Sequence, residues 1–378
     1  MNRRASSVST FGFFSLVALA AALAGCRDSQ AAPLHEEGSP PREKPIAALA
    51  VEEPPPGPGG AATIVSPAAP PAAPTITISA VGDCTLGSDY RVAGAEGTFH
   101  LAMDRAGNDF SVPFANVVGV LGADDLTIAN LETPLSRAKP AVDHPFVFNG
   151  KPEYAEILVR GSVELVNLAN NHTGDFGSEG AKQTVEAVEK AGVGAFGNGR
   201  IDRRTVKGVE VVNMGYLGGG KGTRERVVKD VKKHKRPDNL VIVSFHWGVE
   251  GLNVPVDDQR RMARAVIEAG ADLILGHHPH VLQGIETHRG KHIVYSLANF
   301  VFGGHSNPAD KDSMIYQEVF AVEGGAVVSK ESRVLPVRIS SVKTHNDFRP
   351  VLLEGAEKER VLARVKEYSD MLAPRGKR

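Results

Sequence analysis

The chain has 378 residues, of which 42% are hydrophobic and 23% charged, with a formal net charge of -1. That length and apolar content allow one large domain or two ordinary ones with a real core, and exclude a chain that is disordered throughout. A net charge near zero offers no electrostatic case for a nucleic-acid partner, and two cysteines, Cys26 and Cys84, are too few for a disulfide framework.

Arg3 and Arg4 precede an apolar stretch from Phe11 to Ala24, which falls short of the roughly 20 residues of a spanning helix and reads as a signal peptide. It ends in Leu23-Ala24-Gly25-Cys26, a lipobox, so residues 1–26 are expected to form a lipoprotein signal with Cys26 as the lipidated residue. The expected location is extracytoplasmic, with a lipid anchor in a bacterial cell membrane. With Cys26 acylated, Cys84 has no partner and reads as a small buried hydrophobe rather than a thiolate ligand. Residues 27–74 are rich in Pro, Ala and Gly and read as a disordered tether that proline stiffens toward polyproline II.

Folding is expected to begin with the β-branched run Thr75 to Val81, a strand that stops at Gly82-Asp83. Strands over Asp125 to Ala129, Val163 to Leu168, Val209 to Tyr216, Leu240 to Phe245 and Ala271 to Leu275 then alternate with helices over Pro152 to Arg160, Ser178 to Ala191 and Val256 to Ala269. Gly192 is the expected stop of the second helix. Such alternation is the signature of a largely parallel sheet with crossover helices. Between the Val209 and Leu240 strands, Lys229 to Arg236 packs five basic residues around His234. It reads first as a solvated helix end before Pro237, with an anion-attracting patch as the alternative. Beyond His280 the pattern turns antiparallel: a hairpin over Val281 to Thr287 and His292 to Leu297, then strands over Met314 to Val322, Ala326 to Val334 and Val337 to Val342. A polar amphipathic helix over Glu354 to Met371 closes the chain. Two sheets packed face to face with helices outside are expected, over a domain of residues 75–345 with a C-terminal segment at 346–378.

Chemistry gathers where the apolar runs stop. Gly276-His277-His278-Pro279-His280 follows one strand, and Gly82-Asp83, Asn130-Leu131-Glu132, Asn170-Asn171-His172 and His246-Trp247-Gly248 close four others. In open α/β sheets ligands bind outside the carboxyl ends of strands. Mixed carboxylate, carboxamide and imidazole donors suit one or two divalent ions such as Mn, Zn or Fe, and scarce cysteine points away from a closed structural site. A metal-dependent hydrolytic site is therefore the leading expectation.

These motifs, together with Thr133-Pro134-Leu135, Thr173-Gly174-Asp175-Phe176-Gly177 and Tyr295-Ser296-Leu297-Ala298-Asn299-Phe300, resemble the CapA, or bacterial capsule synthesis (PGA_cap), family of the calcineurin-like metallophosphatase superfamily. The resemblance covers about Ile76 to Ser341. It implies an α/β fold arranged as a four-layer α/β/β/α sandwich, metallophosphatase-like, with a metal centre at one edge. It further implies Asp83 and His280 as ligands of a first metal, Glu132 as a bridge, and Asn171, His246 and His278 as ligands of a second. His172 takes the place of a proton donor to the leaving group, oriented by Asp175. Thr85 stands where the superfamily usually has a histidine, which leaves the first metal with fewer protein ligands. The implied partner is an anionic polymer such as poly-gamma-glutamate, with a membrane synthase complex as a further one. Two other readings compete with the hydrolase: a non-catalytic factor that binds metal and polymer, and a metallophosphoesterase acting on nucleotide or wall phosphates.

Overall fold

The computed structural model describes residues 75–373, so the lipobox with Cys26 and the proline-rich tether lie outside the described residues. The chain opens with β1 (Thr75–Thr85), β2 (Ser88–Asp89), α1 (Phe99–Arg105), α2 (Val118–Leu121), β3 (Leu126–Leu131) and β4 (Phe148–Asn149). It continues through α3 (Ala155–Arg160), β5 (Leu165–Asn167), α4 (Gly177–Lys190) and β6 (Gly194–Phe196). A second alternation follows in β7 (Ile201–Val206), β8 (Val209–Leu217), α5 (Lys221–His234), β9 (Leu240–His246), α6 (Asp257–Glu268) and β10 (Leu273–His277). The last elements are β11 (Ile285–His288), β12 (Lys291–Val294), β13 (Asn299–Phe302), β14 (Asp312–Glu323), β15 (Ala326–Arg338), β16 (Val351–Leu352) and α7 (Gly355–Asp370).

Two large sheets result. The first runs β16-β15-β14-β1-β3-β5-β6, and β13 takes over from β14 along the C-terminal part of β1. The second runs β11-β12-β10-β9-β8-β7, with β8, β9, β10 and β12 parallel and antiparallel strands at both edges. Each sheet thus combines crossover-linked parallel strands with hairpin strands, because the chain returns to the first sheet after β12.

Successive side chains on the central strands face opposite sides and both sides are covered, which explains their near-continuous apolar sequences. Between the sheets, Ile78, Ile128 and Leu165 pack against Val211, Ile242 and Leu275. On the outer face of the first sheet, Ala129, Leu131 and Val166 meet Leu158 of α3 and Val188 of α4. Outside the second, Val212, Val243 and Ile274 meet Val227 and Val231 of α5 and Met262 and Val266 of α6. The order helix, sheet, sheet, helix is the expected four-layer sandwich. Each such buried aliphatic side chain contributes about 1.5–3 kcal/mol.

The C-terminal segment belongs to the same body, since β16 joins the first sheet and Val361 and Val365 of α7 enter the core between the sheets. One expected strand is corrected. Val337 to Val342 does not form a separate strand, because β15 runs unbroken through Pro336 to Arg338 and the following loop is tied by Ser340 and Ser341 to Asp347. Proline is tolerated there because β15 has only the two-residue β16 on its outer side.

Candidate metal centre

The ends of β1, β3, β9 and β10 meet at one edge of the sandwich. Gly82 and Gly276 allow this: a Cβ on either would lie 2.1 Å from Ala298 O or 1.9 Å from Tyr295 O, so only glycine lets the Tyr295–Ala298 segment pass against both strands. Asp83 follows the first of these glycines, in register with Asn130 and Asn299. Its Oδ1 accepts from Asn130 Nδ2 at 2.8 Å and its Oδ2 from the His278 backbone N–H at 3.2 Å. His277 Nδ1 and His280 Nδ1 each stand 3.2 Å from one of its oxygens.

Glu132 lies just past β3, fully buried, and neither of its oxygens accepts a hydrogen bond. His246 Nε2 approaches Oε1 to 3.3 Å and His280 Nε2 to 3.7 Å. Three donor sets are compact enough to hold an ion, with ligand atoms within 4.8 Å of one another: Asp83, Glu132 and His280; Glu132, His246 and His278; and Glu250, His278 and His280. The first two share Glu132. His278 and His280 have φ of 94° and 58°, a left-handed backbone that non-glycine residues avoid and that concentrates at functional sites.

The electrostatics fit a cation. Burial would raise the Asp83 carboxyl, but His277 and His280 hold it well below the usual carboxylate range. Burial and Asp83 push the Glu132 carboxyl up, while His280 and His246 prevail and keep it low. Burial would lower His280, yet Glu132, Asp83 and Glu250 raise it to about 10. His278 is lowered by burial and by repulsion from His246 and His280, which suits a neutral imidazole ligand. Unpartnered buried atoms at Glu132 (both oxygens), His246 Nε2 and His278 Nδ1 converge here. Carboxylate oxygen and imidazole nitrogen are donors that borderline divalent cations accept, so these residues fit a divalent metal.

Five of the six expected ligands are therefore brought together, and the sixth, Asn171, stands in the turn after β5. Its side chain is exposed, while Asn170 is buried, donates from Nδ2 to Leu131 O at 2.8 Å and accepts the His172 backbone N–H at 3.2 Å on Oδ1. The first asparagine builds the turn that presents the second.

Residues 77–304 match the family described as bacterial capsule synthesis protein PGA_cap. The chain belongs to that family. It is similar to the capsule biosynthesis protein CapA of Bacillus anthracis, 30% identical over 294 residues that span 70% of this chain and 67% of that protein. It is also similar to the PGA biosynthesis protein CapA of Bacillus subtilis (strain 168), 33% identical over 216 residues, 50% of this chain and 56% of that one. Among solved structures, the calcineurin-like phosphoesterase YfkN from Bacillus subtilis is similar at 12% identity and a TM-score of 0.40, over 79% of this chain and 99% of that chain. The fold assignment rests on the two sheets described above.

In this PGA_cap chain His172 stands beside the centre with its ring held. Its Nδ1 lies 2.9 Å from Asp175 Oδ2, which also accepts the Phe148 backbone N–H at 2.8 Å, and the Phe148 ring packs 4.4 Å from the imidazole, centroid to centroid. With Nδ1 engaged by Asp175, Nε2 is the ring nitrogen left for another partner. His172 and His280 line a cleft of about 450 Å³ walled by Phe146, Phe148, Val281 and Phe302, and none of its lining residues is lysine or arginine.

The sequence reads Asn299 as a supporting residue rather than a ligand, and it gives no role to Asn130 or Asn167, which brace the candidate ligands. Asn167 Nδ2 donates to Asn130 Oδ1 at 2.9 Å, and Asn130 in turn meets Asp83 and, at 3.2 Å, His246 Nδ1. Asn299 Oδ1 holds His280 Nδ1 at 2.9 Å. The available signal was an asparagine inside each of two fully buried strands, where a polar side chain needs partners.

Proposed function

We propose that this PGA_cap protein is an extracytoplasmic, lipid-anchored, metal-dependent hydrolase that acts on an anionic gamma-linked glutamate polymer during capsule or polymer synthesis, export or trimming. The observation that carries the metal chemistry is Glu132, a buried carboxylate without a hydrogen bond, shared by two converging donor sets. Asp83, Glu132 and His280 would hold one divalent ion, and Glu132, His246 and His278 a second. A bound divalent ion supplies Lewis acidity and lowers the pKa of water toward neutrality. The chain's own residues do the rest: Asp175 fixes His172, and His172 delivers a proton from Nε2 to the leaving group. Polymer identity draws on the names of the relatives, and surface anchoring draws on Leu23-Ala24-Gly25-Cys26 and the proline-rich residues after it.

The deciding assay incubates the purified chain with Mn²⁺ or Zn²⁺ and either gamma-polyglutamate or a chromogenic phosphodiester. Shortening of the polymer is expected. A second reading is a non-catalytic factor that presents polymer to a membrane synthase, with Thr85 in place of the superfamily's usual histidine as the observation that favours it. Polymer binding without turnover under either metal would select it, and rapid phosphodiester cleavage with indifference to polymer would select a phosphoesterase. Membrane release by Cys26→Ser tests the anchor; continued membrane association would refute it.

A further inference from the structure

A polymer with one carboxylate per unit calls for positive charge along its length, and the cleft beside His280 has no lysine or arginine in its lining, where Glu250 and Asp310 add negative charge. Unpaired positive charge is gathered instead on α5. Lys221, Lys235 and Arg236, in and just after this helix, pair with Glu225, Asp272 and Glu210. Arg224, Arg226, Lys229, Lys232 and Lys233, by contrast, form no carboxylate ion pair among the described residues.

Three of these form a row. Arg226, Lys229 and Lys233 are spaced by three and four positions, so they share one helix face over a rise of about 10 Å. Arg226 and Lys233 line a recess of about 460 Å³ together with Tyr216 and Leu217. The Arg226 guanidinium stands 5.4 Å from the Tyr216 ring centroid, and Asp230, the carboxylate on this face, already accepts the Tyr216 hydroxyl at 2.8 Å.

The recess adjoins the metal centre. Leu217 is in register with His246, one strand spacing of about 5 Å away. Gly215, also in its lining, packs on Asn167, the first member of the hydrogen-bond chain through Asn130 to Asp83.

We infer that the row of Arg226, Lys229 and Lys233, with its recess, is a binding track for the carboxylates of a gamma-linked polyglutamate, holding one stretch of chain while another lies at the metal centre. This rests on the polymer reading above. Gamma linkage puts five backbone bonds between units, so carboxylates recur about every 6 Å in an extended chain. Helix neighbours three and four positions apart stand about 5–6 Å apart, which matches that repeat.

The test uses the full chain loaded with Mn²⁺ and fluorescein-labelled gamma-polyglutamate, with affinity read by anisotropy at low and raised salt. Charge reversal in R226E/K229E/K233E is expected to weaken binding at least about tenfold and to flatten the salt dependence, with metal content unchanged. The neutral R226Q/K229Q/K233Q variant is expected to fall between it and wild type, and in a Glu132→Gln background the triple charge reversal is expected to weaken the remaining binding further. Unchanged affinity in both triple variants would overturn the track. So would loss of binding in Glu132→Gln alone, which would place the polymer at the metals and leave the hydrolase reading intact. Tighter binding to RNA or to anionic phospholipid vesicles than to polymer would also overturn it. Row-dependent binding without metal or turnover would remove the hydrolase reading and keep the track.

Discussion

Glu318 on β14 and Glu132 at the end of β3 are equally buried, yet they are treated in opposite ways. The two oxygens of Glu318 meet His292 Nδ1 at 3.0 and 2.9 Å and also accept from the Tyr316 and Ser329 hydroxyls, while neither oxygen of Glu132 accepts a hydrogen bond. A buried carboxylate without partners destabilises a fold by several kcal/mol, so one that persists is explained by something other than stability. Glu318 stitches strands together. Glu132 leaves its lone pairs unused, in donor sets that could hold a cation with His280 and with His246 and His278.

The contrast breaks first at Glu318. Glu318→Ala strands His292, Tyr316 and Ser329 among apolar neighbours and is expected to lower unfolding free energy by about 3 kcal/mol or more in urea denaturation. A loss no larger than that of an exposed glutamate would show that the two sites do not differ. Glu132→Gln is expected to reverse the pattern. The metal-free protein should be at least as stable as wild type, since a buried carboxylate that accepts no hydrogen bond gives way to a neutral amide, while bound metal measured by elemental analysis falls. Full metal stoichiometry in both Glu132→Gln and His278→Ala would refute the ligand assignment.

Asp124 sharpens the comparison with the smallest effect. Burial raises its carboxyl from 3.8 to about 6, only partly offset by the Ser79 and Thr127 hydroxyls. The folded state then holds the proton more tightly than the unfolded chain, so stability is fully present below about 3.8 and lost as pH rises toward 6. Asp124→Asn should remove this slope and gain about 1 kcal/mol or less at neutral pH, because the group is partly exposed. Parallel stability curves for variant and wild type between these pH values would contradict the assignment.

The sandwich and most of its centre were legible because both follow from where apolar runs stop. Asp83, Glu132, His246, His278 and His280 each fall at or just beyond the end of a strand, and such ends converge at one edge of a parallel sheet. Other features had no comparable signal. β7 is an edge strand whose Arg203 and Arg204 give no apolar alternation, and α5 is dominated by charge, with only Val227 and Val231 buried. The choice between Asn170 and Asn171 depends on turn geometry, because adjacent residues point in different directions whatever the periodicity. The basic run of residues 229–236 reads as one patch in sequence. In the fold Lys235 and Arg236 are drawn into ion pairs, and Lys229 and Lys233 form a row with Arg226.

Crystals of the chain soaked in Mn²⁺ and measured for anomalous scattering test the central claim most directly. An anomalous peak bounded by Asp83, Glu132 and His280, by Glu132, His246 and His278, or by both sets with Glu132 between them, is the predicted result. Mn²⁺ bound elsewhere, or no peak at this edge of the sandwich, would contradict the account.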